Sequence, residues 1–145
     1  MLNKLSIINY ALIEEIEIDF SNGLTIITGE TGAGKSILLG ALSLLLGNRA
    51  DSNSLYSKSR KCIIEGEFNI AGYKLEEIFK QNDLDFESKT TIRRELSSEG
   101  KSRAFINDTP VNLVLLKSIG QKLIEIHSQH ETLTLNDSNF QMMHV

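Results

Sequence analysis

Apolar and polar side chains alternate with period two over residues 13–20, where Ile16, Ile18 and Phe20 are interleaved with Glu15, Glu17 and Asp19. That spacing puts successive side chains on opposite faces, so the segment reads as an antiparallel strand with one wet face. Residues 5–9 read as a strand before it, and Ser21-Asn22-Gly23 as a turn after it. Residues 24–28 are more uniformly apolar and predict a buried strand. A glycine-rich stretch follows, and residues 37–46 are apolar nearly all round, the pattern of a buried helix, with Gly47-Asn48 as its stop. Residues 48–60 are rich in Ser, Asn and Arg and predict a long loop, a kind of segment that often carries function.

Beyond that loop, residues 61–70 predict a strand, and Leu75, Ile78 and Phe79 a short helix. Residues 91–96 and 103–107 predict two strands joined by a hairpin loop that contains Gly100. Asp108-Thr109-Pro110 is expected to start another short helix with Leu113, Leu115, Leu116 and Ile119 on its apolar side. Residues 123–126 are expected to form a final strand, and residues 128–145 to run polar and end in the start of a helix. The order is antiparallel strands, then strand–loop–helix, then more strands. It predicts an α/β fold with a mixed sheet built on a P-loop core.

The glycine-rich stretch carries the chemistry. Gly29-Glu30-Thr31-Gly32-Ala33-Gly34-Lys35-Ser36 fits the spacing G-x-x-x-x-G-K-[ST]. Glycines let the backbone wrap a phosphate with N–H groups turned inward. The helix that starts near Lys35 aims its positive end at the same phosphates. The Lys35 ammonium reaches the β- and γ-phosphates, and the Ser36 hydroxyl is a ligand for Mg²⁺. The flanking apolar strand and apolar helix are the context this motif requires. ATP and Mg²⁺ are therefore the expected cofactors.

The remaining composition narrows the class. The chain has 145 residues, one domain of ordinary size, with 15 basic and 19 acidic residues and a formal charge of −4. That balance argues against a dedicated nucleic-acid-binding domain. The one cysteine, Cys62, lies in a strand-like run and reads as a small core residue; it permits no intramolecular disulfide, as suits a reducing cytosol. His127 and His130 have the spacing H-x-x-H without a cysteine or a third acidic ligand in register, a weak metal signal. No apolar run approaches the ~20 residues of a membrane span, and the expected location is cytoplasmic.

Other parts of an ATPase are missing. A Walker B element is an apolar run that ends in Asp, but Leu123-Ile124-Glu125-Ile126 ends in His127. Leu96-Ser97-Ser98-Glu99-Gly100 faintly resembles an ABC signature. It is followed by the strand-like Arg103-Ala104-Phe105-Ile106-Asn107 and reads as a hairpin.

Three segments together resemble the RecN family, within the SMC-like ABC ATPases. The first is Leu5-Ser6-Ile7-Ile8-Asn9-Tyr10-Ala11-Leu12-Ile13. The second is the P-loop from Thr28 to Ile37 with Leu45-Leu46-Gly47-Asn48-Arg49-Ala50-Asp51. The third joins Arg93-Arg94-Glu95-Leu96 and Ser102-Arg103-Ala104-Phe105-Ile106-Asn107 to His127-Ser128-Gln129-His130-Glu131. The resemblance spans nearly the whole chain. It implies that residues 1–145 are the N-terminal lobe of an ABC/SMC-type head, with a coiled coil starting near residues 138–145. A C-terminal half would bring the signature, Walker B and the catalytic Glu. It further implies that Gln129 is a Q-loop glutamine, acting with Lys35 in catalysis and with Ser36 on Mg²⁺.

On the same resemblance, two heads would sandwich ATP, the whole molecule would engage DNA in double-strand-break repair and recombination, and the protein would be cytoplasmic and nucleoid-associated. The sequence departs from the family pattern at Gly40, where an Asp is common, at Ser128 and at Tyr56, where an arginine sensitive to DNA or ATP is expected; Arg49, Lys58, Arg60 and Lys61 are the substitutes on offer. Another SMC-like repair ATPase, a small P-loop kinase or GTPase, and a non-catalytic module that has kept its P-loop remain as alternatives.

Overall fold

The alternating segments pair into one six-stranded sheet. The computed structural model describes residues 1–20, 32–49 and 54–134, the side chains of 32–33 and 124–134 excepted. Strands β1 (Leu2–Tyr10), β2 (Ile13–Asp19), β3 (Cys62–Asn69), β4 (Lys89–Leu96), β5 (Ser102–Ile106) and β6 (Thr109–Val111) lie in the order β2-β1-β3-β4-β5-β6, and every pairing among the described residues is antiparallel. The buried strand expected at residues 24–28 lies outside the described residues, as do residues 135–145 and the coiled-coil start expected there. Helices α1 (Gly32–Leu45), α2 (Glu76–Gln81) and α3 (Leu113–Thr134) complete the fold.

Period two decides which side of the sheet is dry. Cys62, Ile64, Gly66 and Phe68 of β3 and Thr90, Ile92, Arg94 and Leu96 of β4 point inward and are buried, while the residues between them are only half-buried. This inner face meets Ala41, Leu44 and Leu45 of α1, with Phe79 of α2 and Leu116, Ile119 and Leu123 of α3 in the same core. α1 packs on the two central strands, β3 and β4. Its end lies against α3 so closely that a Cβ on Gly120 would come within 2.5 Å of the Leu46 carbonyl oxygen.

Two expectations fail, each for a local reason. Thr109–Val111 is a strand, not a helix start. Asn107 and Asp108 adopt φ of 49° and 68°, which short polar side chains tolerate, and so close a two-residue hairpin between β5 and β6. Pro110 then sits on the edge strand, where its missing N–H removes no ladder bond to a further strand. Asn112 starts α3 instead, its side-chain oxygen accepting from the Leu115 N–H at 2.8 Å.

The strand expected at residues 123–126 is part of α3. A four-residue apolar run has no periodicity of its own, and Leu116, Ile119 and Leu123, at spacings of three and four, put it in helical phase with the residues before it. None of the helices searched among the described residues is long and apolar enough to cross a membrane.

Candidate nucleotide-binding site

The glycine-rich motif straddles the start of α1. Gly29, Glu30 and Thr31 lie outside the described residues. Gly32 and Ala33 are the first two residues of the helix, which thus starts before Lys35. Gly34, Lys35 and Ser36 follow in its first turns, all three exposed, and the first turn holds no acidic residue. A helix N-terminus carries a partial positive charge and N–H groups that make no intrahelical bond. With the Lys35 ammonium and the Ser36 hydroxyl beside it and no acidic residue in that turn to oppose an anion, the end of α1 fits a magnesium-bound polyphosphate.

What keeps this end in place is the rest of the helix. One turn beyond Ser36, the space a Cβ on Gly40 would take is filled by the Tyr10 hydroxyl, 2.5 Å from that position. A larger residue at Gly40 would make the Tyr10 side chain swing aside. Ala41 and Leu45 are fully buried against the sheet. At the C-terminus Gly47 takes φ 107°, the Asn48 N–H donates to the Ser43 carbonyl at 3.2 Å and the Gly47 N–H to that of Leu44 at 3.2 Å. These bonds form the glycine stop that Gly47-Asn48 predicts.

The residue that closes this end is Arg94. It is 1% exposed, and its Nη1 donates to the Leu44 carbonyl at 2.6 Å and to the Asn48 carbonyl at 2.8 Å, while Nε donates to Ser102 Oγ at 3.0 Å. A cation at a helix C-terminus meets the negative end of its dipole. Burial lowers the affinity of the Arg94 guanidinium for its proton, with Cys62 acting the other way, and burial pushes the Cys62 thiol up to about 11 against the pull of Arg94. Cys62 is fully buried, a core residue as its strand setting predicts, and a thiol in that state is not a nucleophile at neutral pH.

A second buried polar residue shapes the neighbouring loop. Asn9 is fully buried at φ 59°; its Nδ2 donates to the Ser57 and Arg60 carbonyls, both at 2.9 Å, and its Oδ1 accepts from the Ser57 N–H at 2.7 Å. The basic loop is therefore hung on β1. Tyr56 is 51% exposed, and Lys58 and Arg60 are exposed too. Arg60 reaches Glu14 only at 3.9 Å, a surface pair of little energetic weight. Arg49 is exposed just beyond α1, at the other end of the same loop.

Arg94 and Asn9 lie in segments that carry the family resemblance, but no role for either followed from the sequence. The signal for both was their phase: each occupies an inward position of a strand, after Leu5 and Ile7 or between Ile92 and Leu96, where an apolar residue is the norm. Gln129 falls within the backbone of α3; its side chain, and with it the grouping with Lys35 and Ser36, lies outside the described residues.

With this geometry in view, a family model for an AAA domain matches residues 4–144. The DNA repair protein RecN of Xylella fastidiosa is 38% identical over 144 residues, which are 99% of this chain and 26% of that protein. RecN of Bacillus subtilis is 39% identical over 142 residues, 96% of this chain and 25% of that one. The chain thus spans about a quarter of the length of these relatives. Among solved structures, an SMC ATPase studied for ATP-driven dimerization and DNA-stimulated activation superposes with a TM-score of 0.64 at 20% identity, covering 85% of this chain and 79% of that one. The recombination mediator RecF with ATP superposes at 0.52 and 16% identity, covering 77% and 27%. These likenesses show a shared fold: the sheet and helices are those of the N-terminal lobe of a P-loop ATPase head.

Proposed function

The chain belongs to the AAA domain family and matches RecN proteins over nearly its whole length, and from that premise we propose that it binds ATP·Mg²⁺ as the N-terminal half of a RecN-like ATPase head in DNA double-strand-break repair. The observation that carries the reading is the position of Gly34-Lys35-Ser36: the end of the P-loop motif opens an exposed, acid-free helix N-terminus whose far end is locked into the core.

The backbone from Gly29 through Gly34, with Glu30, Thr31, Gly32 and Ala33 between, wraps the phosphates. Lys35 neutralises the β- and γ-phosphates, and Ser36 holds the metal together with Gln129. Bound Mg²⁺ adds charge neutralisation at the transferring phosphoryl group. Hydrolysis belongs to the whole protein. The signature, the Walker B carboxylate and the catalytic Glu come from a C-terminal half beyond a coiled coil that starts near residues 138–145, and two heads close on two nucleotides. The whole molecule engages DNA in the cytoplasm, at the nucleoid.

The test is ATP·Mg²⁺ binding by calorimetry alongside hydrogen exchange. Phosphate cradling slows exchange at Gly32 to Ser36, and Lys35→Ala weakens affinity at least about ten-fold. Purified alone, the chain turns ATP over at background, because positioning and charge stabilisation supply most of phosphoryl-transfer catalysis and half of those groups are elsewhere. Unchanged exchange in saturating ATP would defeat the binding assignment. A turnover of about 1 s⁻¹ that disappears in Lys35→Ala would defeat the half-head assignment.

A further inference from the structure

Charge is segregated on this molecule more sharply than its total of −4 suggests. The edge strand β2 and its approach carry Glu14, Glu15, Glu17 and Asp19. A cleft at the start of β4 is lined by Asp85, Glu87 and Asp108 against the single cation Lys89. At the opposite end of β4 the balance reverses. There a cleft of about 240 Å³ is lined by Lys61, Lys101 and Arg103, by Glu95 and Glu99, and by Leu96 and Ser97. Of its two carboxylates, Glu95 is already shared by two cations, Lys61 at 3.6 Å and Arg93 at 3.3 Å, the latter stacked 4.6 Å over Phe105. Lys101 and Arg103 are exposed, and among the described residues neither forms an ion pair.

The strand register builds this arrangement. Arg103 is directly opposite Glu95, and the Ser97 N–H donates to the Lys101 carbonyl at 2.9 Å to close the hairpin. Lys61 immediately precedes Cys62, which pairs with Leu96 on the other side of β4. The cations therefore span three neighbouring strands, a row roughly 10 Å wide at ~5 Å per strand. Arg60 and Lys58 continue it along the loop that Asn9 holds.

We propose that the β4–β5 hairpin end, through Lys61, Lys101 and Arg103, is a docking surface for the sugar–phosphate backbone of a nucleic acid. A row of cations over three strands suits a repeating anion better than a single small one. An Arg fork, lysine point charges and the Ser97 hydroxyl are phosphate-recognising groups; the one apolar residue of the lining, Leu96, is a buried core residue. Glu95 holds Lys61 and Arg93 in place, so that Lys101 and Arg103 are the free donors. The choice of nucleic acid over other polyanions rests on the RecN-like reading; the cleft itself is independent of the P-loop.

The experiment follows fluorescence anisotropy of labelled duplex and single-stranded DNA with the whole chain, from about 50 to about 200 mM salt. Lys101→Glu/Arg103→Glu is compared with Lys80→Glu/Lys89→Glu, which makes the same change of charge elsewhere. Wild type binds without sequence preference and weakens steeply with salt. The hairpin variant binds at least about ten-fold more weakly at low salt. Its log–log slope falls by about two, one for each phosphate no longer neutralised, while the control stays near wild type.

Equal weakening in the two variants would reduce the effect to net charge and overturn the site, as would wild-type affinity in the hairpin variant or no binding by wild type at low salt. Displacement of DNA by millimolar inorganic phosphate would make it a small-anion site, and displacement by polyglutamate as readily as by unlabelled DNA would make it a protein-docking surface; either result overturns the proposal. ATP affinity measured on the same samples keeps the two readings apart. The hairpin variant retains ATP binding if the surface is separate, and absence of ATP binding by wild type would strike the P-loop reading alone.

Discussion

At its C-terminal end α1 presents the Leu44 carbonyl, and just past it the Asn48 carbonyl, to a guanidinium that is 1% exposed; at its N-terminal end Gly34, Lys35 and Ser36 all face solvent. One helix of 14 residues thus has an end whose Ser43, Leu44 and following Asn48 carbonyls are bonded inside the protein, and an end whose Lys35 and Ser36 are exposed. The difference teaches how a binding helix is made. A ligand that recognises a helix terminus needs that terminus rigid before it arrives, since ordering it on binding would subtract from affinity. Fixing the helix by its own N-terminal groups would consume the donors the ligand needs. The chain fixes it instead by its apolar back and by Arg94 at the far end. On the proposed nucleotide-binding reading, stability and binding fall to opposite ends of the helix.

The sharpest way to break that comparison is at Arg94. Replacing it by Met, of similar reach but without donors, strips two carbonyls and the Ser102 hydroxyl of a charged partner. Relief from burying the cation offsets part of this, and the expected loss is about 4 kcal/mol. Urea unfolding followed by circular dichroism measures it. A loss below about 1 kcal/mol would mean that the C-terminal end is held by apolar packing alone.

A smaller effect tests the same end through Cys62. Its thiol is raised from 9.0 to about 11 by burial, with Arg94 opposing. The folded chain keeps that proton where the unfolded chain has given it up, so the native state binds more protons between those values. The contribution is therefore complete below pH 9 and lost as pH rises towards 11, up to about 3 kcal/mol at ~1.4 kcal/mol per pH unit. Unfolding free energies of wild type and Cys62→Ala across that range give the answer. Wild type declines more steeply; parallel slopes would show that Cys62 does not titrate differently in the two states.

The smallest effect sharpens the other side. Lys35→Ala at the open end changes unfolding free energy by no more than about 0.5 kcal/mol in the absence of nucleotide. A larger loss in the same denaturation experiment would show that the N-terminal end also carries structural weight, and the division between the two ends would fall.

Much of this was legible in the residues. The strands expected at residues 61–70 and 91–96 are β3 and β4, and the apolar run after Lys35 with Gly47 behind it announced α1 and its stop. The spacing of Gly29, Gly34, Lys35 and Ser36 pointed to a phosphate site, and the last three of these residues lie in the first turns of α1 or just after them. The helix start expected at Asp108 and the strand expected at 123–126 failed where the signal was short: three residues can close a hairpin or cap a helix, and four apolar residues have no period. The role of Gly40 was hidden because a glycine inside a helix pattern reads as a cost until the Tyr10 hydroxyl is seen in its place.

For most segments the residue order alone shows what the segment is and which chemistry it offers, because period, turn residues and motif spacing are local properties that a chain carries unfolded. Only the tertiary structure decided what faces what. It turned Arg94 of the Arg93-Arg94 pair inward to the end of α1 and Arg93 outward over Phe105, hung the basic loop on Asn9, and gathered Lys61, Lys101 and Arg103 at one end of the sheet. Those interactions join residues up to 51 positions apart, through hydrogen bonds and a register that exist only once the strands have paired.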